Sequence, residues 1–589
     1  MASTTYPGSI LLEGMASANA ALHITVLLTF QSSNASLMRI SIQNTGSDTL
    51  LTAFRLMASG ANVTALTSDS IKFTLPNSSI SCFDSTLRRG SLGFATTFLQ
   101  DQALRRLAWS WVVNASGAIA MTSSKVSIPP GGRATAFVSA AFPGDHFAIA
   151  GADVLDTTVN QTLQRWDNYL HAVFENTPDA EKWAAVKSVM TLIGNWRYVP
   201  GLPDGVLPSY TGYQGGFWSW DTYKQAVGMA RFAPGLAKDQ LRLIVSGRDI
   251  STGHIPDKVD RCGKGGGCSG KPPLLAWAVW NVFLATRDVT FLRDMYNITK
   301  NFHYFWYSHR DIRGVGLCSW TEGMESGMDD GVRFLPQYAN TVTNTSTQVR
   351  TLDFWSIDLN AYLLEDKLTL SAMAHELGFE TEARSWDASA AILRVRLQET
   401  FFVAGKGSPS QRSTEVGART GFFSDVYFNG TALPIRGCEG YAALFAKAAT
   451  LAQATQVAET LRDPEEFLLN FSLPSVSKSN QFYNPDGYWK GPTWVDQTWF
   501  AYTGLRRYQS MAKQQGDAES EAFLSDLAST LRRRLFSQCK SLSSGDSTPL
   551  SEHYHPETGS PRGATHFSWT AAHVLMWIEE NARDKTVWI

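Results

Sequence analysis

The hydrophobic period of this chain changes near Trp166, and that change limits the folds open to it. Before it, ALHITVLLTF, LMRISIQNTG, SIKFTLPN, LAWSWVVN, KVSIPPGG and RATAFVSAAF alternate apolar and polar residues, with Gly, Pro, Asn and Ser between them. Period-two alternation broken by turn residues predicts short strands. Many in succession suggest a β-sandwich domain over residues 1–165. After Trp166 the period is helical. Amphipathic stretches begin near Glu181, Thr222, Leu236, Pro272, Val289, Asp358, Thr381, Cys438, Leu451, Pro492, Glu519 and Phe567, several as adjacent pairs. Twelve helices in hairpins predict an all-α (α/α)6 barrel over residues 166–589. A helical solenoid is the alternative, but no repeat of roughly 30–50 residues is visible.

The net charge is −2 and the basic residues are scattered, which argues against a nucleic-acid partner. No run approaches the ~18–20 apolar residues that span a bilayer, and the N-terminus lacks the pattern of a signal peptide. Yet sequons begin at Asn34, Asn62, Asn77, Asn114, Asn160, Asn297, Asn344, Asn429 and Asn470. Chance would supply about four, so the excess favours a secreted or lumenal protein; a cytosolic protein with meaningless sequons is the alternative. Cys262 and Cys268 bracket RCGKGGGCSG and are placed to close a short disulfide. With no C-x-x-C pair and no His at ligand spacing, zinc is not expected. SHRDIRGVG opens like a calcium loop, but Arg313 and Val315 stand where oxygen ligands should alternate. No metal site or cofactor is expected.

The chain holds 19 Trp. Core packing accounts for more than half of them; the rest lie in polar, Gly-rich segments, where an indole can stack on a sugar ring. Four long loops lead into predicted helices and combine such aromatics with carboxylates. In GGFWSWDTYKQA, Asp221 is either an N-cap or a carboxylic acid held against Phe217, Trp218 and Trp220, where apolar surroundings raise its pKa. TEGMESGMDDGVRF offers Glu325 and Asp329 to sugar hydroxyls, with Arg333 as charge partner. GYWKGPTWVDQTWF places Trp489, Lys490, Trp494 and Asp496 near a helix start, where substrate contact is expected; Trp499 reads as core. In SEHYHPETG, Glu552 reads by default as a surface glutamate. Its loop feeds the last helix, however, and barrel closure would return it to Asp221.

GFWSWDTYKQA, KPPLLAWAVW, ESGMDDGVRF, YWKGPTWVDQTWF, and EHYHPETG followed by FSWTAAH, in this order, resemble glycoside hydrolase family 63, in particular its α-glucosidase branch related to mannosyl-oligosaccharide glucosidase. The resemblance covers about Trp183 to Trp577. It implies an inverting hydrolase with Asp221 as general acid and Glu552 as general base, acting on a terminal α-linked glucose of an oligosaccharide or disaccharide. Lys271 and Trp569, within the shared motifs, join the candidate substrate contacts. The W-D motif continues here as Asp221-Thr-Tyr-Lys-Gln rather than D-E-G-F-H, which leaves a role in N-glycan trimming open. Inversion calls for carboxyls roughly 6.5–9.5 Å apart, with a water between base and anomeric carbon. A trehalase-like or mannosylglycerate hydrolase-like enzyme is the nearest alternative. A glycan-binding protein without catalysis is the more distant one.

Overall fold

The computed structural model describes the strands between residues 2 and 141 largely as backbone, with side chains at 23–24, 26, 40–49 and 125–134, and most of 160–580 in full. Residues 75–88, 142–151, 176, 198, 200, 261–262, 267–269, 346–347, 406–420 and 583–589 lie outside the described set, as do the shorter connections between early strands. The expected Cys262–Cys268 bridge falls there. Cys318, Cys438 and Cys539 are buried free thiols.

Two compact units divide the chain, Met1–His171 and Ala172–Ile589. In the first, strands Ala2–Tyr6, Ser9–Ala16, Asn19–Ser32, Ala35–Asn44, Arg133–Ala141, Arg89–Leu99, Ser70–Thr74 and Asn62–Leu66 lie side by side in that order, all antiparallel. A second sheet joins Trp109–Val113, Ile119–Ser123 and Arg55–Ala58. Alternation does what it predicts: Ile40, Ile42 and Asn44 are buried while Ser41 and Gln43 are half-exposed. The strand reading fails from residue 152, because Ala152–Phe174 is a helix. Leu155, Val159, Leu163, Trp166 and Leu170 recur at three- and four-residue steps there, and the polar residues between them hid the period.

The second unit carries helices Lys182–Gly194, Ser219–Met229, Pro234–Ser246, Leu275–Thr286, Val289–Arg310, Ile357–Glu376, Glu380–Phe401, Tyr441–Phe445, Leu451–Arg462, Val495–Gln515, Ala518–Gln538 and Ser568–Ala582. These starts lie within three residues of the twelve expected. A thirteenth, Gly323–Ser326, is a single turn inside a loop. The helices are of two kinds. Every residue of Ser219–Met229 is buried, as is nearly every one of Ile357–Ala374 and Val495–Leu505. Ala518–Gln538 instead buries one stripe: Leu524, Leu527, Ala528, Leu531 and Leu535. A helix covered all round belongs inside, and one with a single apolar stripe belongs outside.

The fully covered helices follow one another in contact. Ser219–Met229 packs on Leu275–Thr286, that on Ile357–Glu376, then Tyr441–Phe445, then Val495–Gln515, then Ser568–Ala582. Ser568–Ala582 packs back on Ser219–Met229, so the succession returns to its start. At this return, a Cβ on Gly228 would lie 2.6 Å from the Cα of Ala572, and Gln225 Nε2 donates to Ser568 Oγ at 2.7 Å.

Alanine ordinarily stabilises a helix by up to about 1 kcal/mol relative to glycine. At Gly228 the sign should reverse. Gly228→Ala is expected to destabilise by about 1–3 kcal/mol through overpacking, whereas Gly235→Ala, with nothing within 4 Å of the new Cβ, should be neutral or stabilising. Urea unfolding of the two variants side by side checks the contrast.

Candidate active site

Each buried helix is entered through a long loop, and four of these loops are tied together by side chains. Glu552 lies in the strand Ser551–Tyr554, paired with Pro561–Thr565. The register shifts between Ser551 and His553, so Glu552 faces the extra residue of a β-bulge, a device that re-aims a side chain. Gly563 sits there at φ +70°, and a Cβ on it would fall 2.6 Å from Glu552 Oε2, so only glycine fits. Glu552 is 3% exposed, not a surface glutamate. Its Oε1 accepts from the Tyr488 hydroxyl at 2.6 Å and the Tyr213 hydroxyl at 2.8 Å, and its Oε2 from Ala564 N–H at 2.9 Å.

Asp221 is the third residue of its helix and does not cap it; Trp218 occupies the cap position, without a side-chain bond. Asp221 is 4% exposed. Burial is the largest influence on it and, with the charges of Glu552 and Asp496, outweighs Lys224 and Lys271 to push its carboxyl up to about 7. One turn on, Lys224 is fully buried, with Nζ 2.6 Å from Asp496 Oδ2. Its ammonium sits 3.2 Å from the ring centre of Trp220 and 3.9 Å from that of Trp569, a cation–π sandwich. Trp220 meets Trp569 edge-on at 5.2 Å. Trp489 stacks flat on Trp494 at 3.7 Å. The buried indole N–H groups of Trp489 and Trp569 have no partner among the described residues.

Asp329 lies closer to solvent, with 41% of its side chain exposed. Partial burial, together with Asp257, Asp330 and Glu552, raises its carboxyl to about 6 against the pull of Lys271. Lys271 Nζ is 3.3 Å from Asp257 and 3.9 Å from Asp329, and it also donates to the Met324 carbonyl. Asp330 accepts from Trp489 N–H at 2.8 Å and pairs with Lys490 at 3.2 Å, locking the 320–334 loop to the 484–491 loop. Three carboxyls and indole faces thus converge. Among the described residues, no group of His, Cys, Asp and Glu has the geometry to hold a metal ion.

Residues 214–570 match the family model of the mannosylglycerate hydrolase MGH1-like glycoside hydrolase domain. The chain belongs to glycoside hydrolase family 63. Mannosylglycerate hydrolase MGH2 of Selaginella moellendorffii is 23% identical over 409 residues, covering 61% of this chain and 80% of that protein. Glucosylglycerate hydrolase of Mycolicibacterium hassiacum is 35% identical over 107 residues, 18% of this chain and 19% of that protein. The crystal structure of the family 63 mannosylglycerate hydrolase from Thermus thermophilus in complex with Tris shares the fold at TM-score 0.50 and 21% identity, over 67% of this chain and 99% of that one.

Within this family 63 chain, the structure separates the sequence candidates. Asp221, Glu552, Asp329, Lys271, Trp220, Trp489 and Trp569 gather around the convergent loops. Trp218 stands edge-on to Tyr213 at 5.6 Å, half-exposed, and Lys490 reaches the rim through Asp330. Trp494 is covered by Trp489, and Asp496 is spent on Lys224; both stand behind the site. Phe217 is a correction: its ring turns to the opposite face, against Gly205 beside Leu243, because neighbouring residues of an extended segment point apart. Glu325 is another. It is fully buried, its carboxylate bonded to Arg310 Nε and Nη and to the N–H and hydroxyl of Thr321. Nor is Arg333 its partner, since that guanidinium bonds Asp358 and Asp425. The Asp311 carboxylate accepts from Val315 and Gly316 N–H, so the calcium-like segment closes on its own backbone.

Sequence reasoning missed Tyr213, Tyr488 and Lys224. A lysine in the middle of an apolar helix, four residues after a tryptophan, was a readable sign of the last. The tyrosines carried none beyond their place in aromatic loops. Because Glu325 anchors rather than binds, Glu325→Gln should leave Arg310 as a buried unpaired charge. An expected loss of about 3–5 kcal/mol, read from denaturant unfolding, checks the anchoring role.

Proposed function

We propose that this family 63 chain is an inverting α-glycosidase that removes a terminal α-linked hexose, with Glu552 as general base. The observation that carries the reading is a buried carboxylate bonded by three donors, whose charge acts on two nearby carboxyls that burial raises. Glu552 takes a proton from water as the water oxygen bonds to the anomeric carbon. The glycosidic C–O bond breaks, and the acid supplies its proton to the leaving oxygen, in one displacement through an oxocarbenium-like state. The surrounding helices read as an (α/α)6 barrel, and the sheets of the first unit as a sandwich.

The motif reading gives the acid to Asp221. A second reading, favoured by exposure, gives it to Asp329. The leaving oxygen carries the aglycone and must face solvent, toward which Asp329 is exposed; the buried Asp221 is better placed to bond hydroxyls of the bound hexose. Both carboxyls are raised, to about 7 and about 6. For substrate, a terminal α-glucoside is the reading from the motifs. A hexosylglycerate is the second, supported by the relatives named as mannosylglycerate and glucosylglycerate hydrolases. The exposed sequons at Asn160, Asn297, Asn429 and Asn470 support a glycoprotein.

Hydrolysis is to be screened across kojibiose, nigerose, trehalose, mannosylglycerate and glucosylglycerate, with NMR following the accepted one. The β-anomer should appear first; an α-anomer first would refute the single displacement. Glu552→Gln should lower kcat by about 10²–10⁴-fold. The true acid variant, Asp221→Asn or Asp329→Asn, should lose a similar factor on a glycoside yet keep turnover of the hexosyl fluoride, whose leaving group needs no proton. The other variant should lose both.

The donor works only while protonated, so its form is complete below its pKa and lost above it. Activity should therefore fall as pH rises through about 6 to 7, and this basic limb should vanish in the acid variant alone. A pH–rate profile measured on the fluoride and on the glycoside decides it.

A further inference from the structure

Glu552 has two chemically equivalent oxygens in unequal surroundings, and only one of them has room for another proton. We propose that Tyr213 and Tyr488 are positioning residues that saturate Oε1, so that Oε2 alone receives the proton from water; this rests on Glu552 being the base. A carboxylate oxygen offers two lone-pair directions in the carboxyl plane. Oε1 has both filled, by phenol hydroxyls at 2.6 and 2.8 Å. Oε2 has one filled, by Ala564 N–H at 2.9 Å, and no second partner among the described residues.

The two hydroxyls are 3.2 Å apart. Each has one proton, and both point at Glu552, so neither phenol serves the other as donor. Burial first, and the Glu552 charge next, hold both phenols well above their ordinary range, which keeps them as donors across the working pH range. Each ring is fixed from its own side. The Tyr213 N–H bonds Ser209 O at 2.9 Å, and its ring meets Trp218 and Phe567 edge-on. Tyr488 meets Trp494 and His553 edge-on, and its carbonyl accepts from Trp494 Nε1. Segments 275 residues apart therefore deliver two hydroxyls to one oxygen. Ring packing alone requires neither hydroxyl, which makes phenylalanine the informative replacement.

The test uses the full chain and whichever of α-glucosyl fluoride and α-mannosyl fluoride it hydrolyses. Tyr213→Phe and Tyr488→Phe should each lower kcat by about 10- to 100-fold with KM within about threefold. The acid limb of kcat/KM should move to higher pH, since a lost donor disfavours the ionised carboxylate, and the double variant should exceed either single one. Melting temperatures should stay within a few degrees, because the rings remain. Variants that keep wild-type kcat and an unmoved acid limb overturn the proposal, as do variants whose kcat falls only in step with melting temperature. Glu552→Ala with added azide separates the two levels of the argument. If it forms the β-glycosyl azide while the tyrosine variants behave as wild type, positioning fails and the base stands. If Glu552→Gln hydrolyses the fluoride at the wild-type rate, the base reading itself fails.

Discussion

The contact of the last buried helix with the first is the constraint on which the site depends. Ser219–Met229 and Ser568–Ala582 approach closely enough at Gly228 that Ala572 occupies the space of its missing side chain. That approach carries the loops at the two helix starts into register. Tyr213 and Glu552, 339 residues apart, then meet at hydrogen-bonding distance. Close-packed interiors transmit such displacements rather than absorbing them, so a shift of one helix would reach the carboxylate.

Around that contact, charge is handled in two ways. Lys224 with Asp496, Arg310 with Glu325, and Arg333 with Asp358 and Asp425 are buried and bonded to one another. Breaking such a pair costs far more than the pair itself contributes, so each works as a rigid pin between elements. Asp221 and Asp329 are different: burial pushes their carboxyls up, and the nearby ammonium groups offset this only in part. Carboxyls left in that condition hold a proton to a higher pH than an ordinary carboxyl does, as an acid catalyst needs. The pins hold the frame still while these two carboxyls stay available.

The aromatic content divides in the same way. Trp499 and Trp577 are wholly buried and fill space. Trp220, Trp489 and Trp569 do two things at once, shielding Lys224 or stacking beneath the loops while lining the place where the carboxyls converge. Trp494 supports Trp489 from below and holds Tyr488 by its carbonyl. Apolar walls of this kind raise the acids and strengthen every hydrogen bond made within them.

The sequence by itself determined the elements and their chemistry. Period-two alternation marked the early strands, a 3.6-residue period placed the helix starts to within three residues, and the motifs named Asp221, Asp329 and Glu552 before any of them had a neighbour. Those features are local, and local spacing is what a sequence displays. Only the tertiary structure decided which face each side chain took. It turned Phe217 into the core, gave Glu325 to Arg310 and Arg333 to Asp358, exposed Asp329 more than Asp221, and set Tyr213 and Tyr488 on a single oxygen of Glu552. Such pairings depend on how distant segments meet once the helices have packed, and a bond between residues hundreds of positions apart leaves no spacing in the chain from which it can be read.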